Sequence, residues 1–108
     1  MTSHPRLIDA WDYLNEKAFG GEMVRPRFRV EYRLFLKHQG RKYLMYGAYF
    51  NGTIYISWLH DAESKLETLF HEMCHQYICE ILDEHWAGHG KLFKEVYARG
   101  LEKLTQNT

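Results

Sequence analysis

Leu66-Glu67-Thr68-Leu69-Phe70-His71-Glu72-Met73-Cys74-His75-Gln76-Tyr77-Ile78 decides how this chain is read. Leu66, Leu69, Phe70, Met73, Tyr77 and Ile78, continued by Ile81, recur at the three- and four-residue spacing of a helix. Asp61 or Ser64 caps the start of this helix, which is expected to run to about Leu82. Within it, His71 and His75 are four apart. Four residues advance a helix by little more than one turn, so both imidazoles leave the same face and can share one ion. Glu72 follows His71 directly. From there its carboxylate can flank an ion without ligating it and take a proton from an attacking water. Two imidazoles and a carboxylate in an apolar mid-helix setting would be costly without a partner. The pattern therefore predicts a zinc site with His71 and His75 as ligands and Glu72 as general base.

A catalytic zinc takes a third protein ligand and keeps one position open. Gly88-His89-Gly90 places His89 14 residues after His75, between small neighbours that would let the backbone approach an ion. Glu95, 20 residues after His75, is the alternative. His85 is closer in sequence, but the short connection must first turn the chain round. His89 is the expected third ligand, opening a last helix that runs to about Leu104 on Leu92, Phe93, Val96, Tyr97, Leu101 and Leu104. His4, His38 and His60 have no ligand-like spacing and are expected at the surface.

Upstream, Pro5 to about Phe19 is a first helix on Leu7, Ile8, Trp11, Leu14 and Ala18, stopped by Gly20-Gly21. From Arg27 to Phe35 the residues alternate, with Phe28, Val30, Tyr32 and Leu34 on one face and Arg27, Arg29, Glu31 and Arg33 on the other. Gln39-Gly40 is a turn signal, Tyr43–Phe50 a second strand, Asn51-Gly52 a hairpin turn and Thr53–Trp58 a third strand. Three strands in this order predict an antiparallel three-stranded meander. With the flanking helices, the chain is expected to be a single α+β domain over residues 1–108.

Composition narrows the function classes. The 108 residues carry 14 basic and 14 acidic side chains. No run of about 18 apolar residues could span a membrane. The N-terminal stretch lacks the apolar core of a secretory signal, so a cytoplasmic or nucleoid-associated protein is expected. Two cysteines, Cys74 and Cys79, are too few for a four-cysteine zinc ribbon and too poorly aligned on one helix to bridge, so both should be reduced. The charges are segregated. Residues 25–42 hold Arg25, Arg27, Arg29, Arg33, Lys37, Arg41 and Lys42 against Glu31 alone, whereas residues 60–84 hold seven acids against Lys65. Basic side chains beside Tyr43, Tyr46, Tyr49 and Trp58 suit single-stranded DNA, although most of these aromatics are expected in the core of so small a sheet.

His71-Glu72-Met73-Cys74-His75 followed by Gly88-His89-Gly90-Lys91-Leu92-Phe93 resembles the SprT-like metallopeptidases, the family that includes the protease domain of Spartan. The aromatic segment Gly47–Ser57 is also similar, and the resemblance extends over roughly residues 5–104. It implies a small monomeric zincin-like domain, a zinc held by His71, His75 and His89, and Glu72 as general base. It implies a zinc metalloendopeptidase acting on protein or peptide substrates, with an edge strand near residues 47–50 that pairs with extended substrate. In the better-known members the role is cleavage of proteins crosslinked to DNA, usually with a zinc ribbon or other DNA-binding region after the protease domain. Residues 1–108 contain no such ribbon. A non-proteolytic, zinc-stabilised nucleic-acid-binding domain and a metal-free interaction module are the rival expectations.

Overall fold

The computed structural model describes residues 5–31, 34–57, 62–84 and 88–106. Helix α1 spans Pro5–Ala18 and ends where Gly20 and Gly21, both at φ 72°, reverse the chain. Strands follow at Arg27–Glu31 (β1), Leu34–His38 (β2), Arg41–Met45 (β3), Gly47–Phe50 (β4) and Thr53–Ser57 (β5). Helices α2, Ala62–Glu80, and α3, Lys91–Gln106, complete the α+β domain.

The expected antiparallel meander does not form. One sheet has the order β1-β5-β4, with β1 parallel to β5 and β4 antiparallel to it. The other is a separate β2-β3 hairpin. The strand expected from alternation, Arg27–Phe35, is shared between β1 and β2, and the aromatic-rich Tyr43–Phe50 is divided at Tyr46. Alternation reports which face a residue occupies and is silent on which strand it pairs with. The face assignment itself holds over 27–30, where Phe28 and Val30 are half-buried and Arg27 and Arg29 exposed, whereas Glu31, expected on the outer face, is half-buried. Tyr32, Arg33, Trp58 and the cap residue Asp61 lie outside the described residues, as do His4, His60 and His85.

Both short turns form as expected. Gln39-Gly40 and Asn51-Gly52 each carry two positive φ values, 51° and 78° in the first, 50° and 80° in the second. They join His38 to Arg41 and Phe50 to Thr53 in register. This is the signature of two-residue hairpin loops whose twist matches that of the strands.

The core lies where α2 packs on β4 and β5 and on α1 and α3. Ile54, Ile56, Leu69, Met73, Cys74 and Ile78 are buried there, with Trp11 and Phe19 from the first segment and Phe93 from α3. A buried polar relay fixes the height of α2. Trp11 Nε1 donates to Gln76 Oε1 (3.1 Å), and Gln76 Nε2 donates to the Val24 carbonyl (2.8 Å) and to Glu80 Oε2 (3.1 Å). Glu80 Oε1 accepts from the Val24 amide at 2.7 Å. The middle of α2 is thereby tied to the loop before β1, and the buried Gln76 amide has partners on both its oxygen and its nitrogen. No described helix is long and apolar enough to cross a membrane.

Candidate metal centre

α2 presents His71 and His75, both half-buried, on the face turned to α3 and β4. His89 reaches them from the turn just before α3. Its Nε2 lies 3.0 Å from Nε2 of His71 and 3.0 Å from Nε2 of His75. Three imidazole nitrogens around one tetrahedral ion, each at about 2.0–2.1 Å, would stand about 3.3–3.4 Å apart. The two spacings to His89 therefore fall within a few tenths of an ångström of what a first-row dication requires, and all three ligand atoms lie within 4.8 Å of one another. Neutral imidazole is the ligating form, and the site favours it. Burial lowers the His71 pKa, helped by the neighbouring His89. Burial, then His71 and His89, push that of His75 down to about 4. Three histidines are thus placed to hold a metal ion. Among the described residues they form the one group of three or more histidine, cysteine or carboxylate side chains so arranged.

Gly88, just before His89, sits at φ 55°, a left-handed backbone that favours glycine. α3 begins after His89, since Lys94 N donates to the carbonyl of Gly90 in the first helical bond. Glu95 is directed elsewhere. It lies 4.0 Å from Lys91 and lines a small cavity with Ala18, Phe19 and Tyr77 on another side of α3.

Glu72 is only 5% exposed, and its carboxylate has no hydrogen-bond partner among the described residues. Burial pushes its pKa up to about 7. An orphaned buried carboxylate beside three converging imidazoles fits a site completed by a cation and a water. Its location depends on Gly47. A Cβ there would overlap Thr68 Cγ2 and stand 3.1 Å from the Tyr55 carbonyl and 3.2 Å from Glu72 Oε2. The missing side chain lets α2 and β4 approach until the carboxylate rests against the strand.

A cleft of about 690 Å³ opens over the triad, walled by Tyr49, Phe50, Ile78 and Cys79 and rimmed by Glu84. A second cavity of about 380 Å³ meets it at Gly47, His71 and Glu72 and is walled by Tyr46, Glu67, Thr68 and Tyr97. β4 is the edge of its sheet, as expected for residues 47–50, and forms one side of the cleft. No protein-family model, curated protein or solved structure matches this chain.

Three features departed from the sequence reading or escaped it. Phe93, read as a periodic apolar residue and as the end of the Gly88–Phe93 motif but given no role at the site, lies against all three histidine rings, with centroids 4.7, 4.6 and 4.9 Å away. Its position four residues after His89 was the available signal. The aromatics expected in the core are partly outside it, with Tyr43 46% and Tyr46 58% exposed and Tyr49 half-buried. Among the described basic residues of segment 25–42, two have acidic neighbours. Arg25 pairs with Asp12 at 2.6 Å and Arg29 lies 3.4 Å from Glu31, while Lys37 and Lys42 face each other across the β2-β3 hairpin. Cys74 and Cys79 are not joined in a disulfide, as expected, and burial together with the field of Glu72 pushes Cys74 up to about 12.

Proposed function

We propose that this chain is a zinc-dependent endopeptidase of SprT-like, zincin-like type. The observation that carries the reading is the convergence of three imidazole nitrogens beside a buried, unpartnered glutamate at the floor of an open cleft. His71, His75 and His89 would hold the ion. When bound, zinc supplies Lewis-acid polarisation of the scissile carbonyl and lowers the pKa of water. Glu72 takes the proton from the attacking water and delivers it to the leaving amine, a cycle suited to a carboxylate poised near neutral pH. The open edge of β4 offers backbone N–H and C=O groups to an extended substrate strand. Tyr46 and Tyr97 stand in the cavity alongside His71 and Glu72, on the side from which a hydroxyl could donate to a developing oxyanion.

Two measurements test this. Zinc content of the wild type, His89→Ala and Glu95→Ala should fall only in the His89 variant. Cleavage of casein, with and without single-stranded DNA, should fall about 10²–10⁴-fold in Glu72→Gln, the range for loss of a general base. A wild type as inert as Glu72→Gln under all these conditions would sink the peptidase reading.

A second reading, binding of single-stranded DNA, draws on the β2-β3 hairpin. Phe35 is exposed there, Lys37 and Lys42 are cross-strand neighbours on the same face, and Lys42 Nζ stands 5.4 Å from the Phe35 ring centroid. Aromatic faces beside cations suit unstacked bases. Under this reading the site could serve a non-proteolytic zinc-stabilised domain or a peptidase acting on DNA-associated or DNA-crosslinked proteins. Replacing both lysines by glutamine should reduce the salt slope of oligonucleotide binding by about 1.4, at roughly 0.7 per phosphate contact on a single strand. An unchanged slope would remove the hairpin from consideration.

A further inference from the structure

Ligating histidines are ordinarily oriented from behind. The ring nitrogen that faces away from the metal donates to a carboxylate, a carbonyl or water, which fixes the tautomer and the ring plane. Among the described residues, none of His71, His75 and His89 has such an acceptor, and their hydrogen-bond-range contacts run through Nε2 to one another. What they share instead is one aromatic ring. Phe93, 6% exposed and in the first turn of α3, lies within 5 Å, centroid to centroid, of all three imidazoles. Its plane is tilted 53° and 32° to His71 and His75 and stands edge-on, at 79°, to His89. These are the offset and edge-to-face arrangements that aromatic pairs favour. Phe93 is itself held by Tyr97 at 5.9 Å and by burial in the core. It lines neither of the two cavities that meet at the triad.

We infer that Phe93 is a positioning residue of the metal centre, its ring setting the orientation of the three imidazoles in place of outer hydrogen bonds. The inference rests on the three-histidine metal site and not on peptidase activity, so it is tested by metal binding alone. Co²⁺ is titrated into metal-free protein while its d–d absorption is followed, and Zn²⁺ affinity is obtained by competition. Phe93→Ala should weaken both metals by about 10- to 100-fold, the range seen when outer-shell partners are lost, and should change the shape of the d–d band. Phe93→Leu keeps apolar bulk without a flat face. It should fold, bind more tightly than Phe93→Ala and still show an altered band. Val96→Ala, a half-buried neighbour on the same helix, controls for stability and should melt earlier while leaving affinity and spectrum unchanged.

If Phe93→Ala does not fold, Phe93→Leu decides. A wild-type spectrum and affinity in whichever Phe93 variant is folded overturns the proposal, as does an equal loss in Val96→Ala. A wild type that binds neither metal overturns the metal centre, and this inference with it.

Discussion

The two hairpins of this fold begin alike and end differently. β2-β3 and β4-β5 each close on a two-residue turn with a left-handed pair, Gln39-Gly40 in one and Asn51-Gly52 in the other. β4-β5 then acquires neighbours. β1 adds to β5 in parallel and α2 covers one face, so Ile54 is 0% and Ile56 2% exposed. β2-β3 keeps mainly to itself, with Phe35 48% and Leu44 51% exposed. Turn chemistry makes a hairpin, whereas a covering helix makes a core. The three-histidine cluster lies beside the covered one.

The sharpest way to break this contrast is a matched truncation. Ile54→Ala should cost about 2–5 kcal/mol of unfolding free energy in urea, the range for a large-to-small core change. A loss below 1 kcal/mol would mean that α2 does not depend on the sheet beneath it. Next comes Gly47→Ala, which forces a methyl group towards Thr68 and Glu72. Overpacking of this kind costs about 1–3 kcal/mol. The double variant with Thr68→Ser, which removes Cγ2, should recover most of that. No recovery would place the strain elsewhere.

The turn glycines sharpen the comparison further. Gly40 and Gly52 both sit at φ near 80° with no atom within 4 Å of an added Cβ, so alanine brings the same local strain of about 1–2 kcal/mol to each. In Gly52→Ala it should appear in global stability. In Gly40→Ala it should appear chiefly as faster amide exchange in β2 and β3, a region able to open without the core. The smallest effect belongs to Leu44→Ala, which should change stability by less than about 0.5 kcal/mol because half of that side chain is already in water. A larger loss would show that the hairpin is packed after all.

The parts legible in the sequence were those fixed by local spacing. The four-residue interval between His71 and His75 is a property of any helix, and Asn51-Gly52 needs only its own two residues to turn. The company of His71 and His75 was legible too, since His89 and not Glu95 lies close to the pair. Pairing between distant segments was not. β1 and β5 are joined in parallel across more than twenty intervening residues, and nothing in the alternation of Phe28 and Val30 names Ile54 and Ile56 as their partners. The break at Tyr46 was equally hidden, because an aromatic-rich run from Tyr43 to Phe50 reads as continuous strand until two different sheets divide it. Phe93 was visible as core, but its contact with three imidazoles depends on the angle at which α3 meets α2.

His89 stands on the far side of a connection that leaves α2 and returns as α3, 14 residues beyond His75. An ion held by all three side chains would be a removable cross-link. It would close a loop of about 15 residues, a constraint worth about 3 kcal/mol in the chain-entropy view. In so small a domain that is a sizeable share of the folding free energy. Stability would then rise with the free concentration of the ion and fall with its withdrawal, so the lifetime of the fold would be set partly by the supply of metal around it.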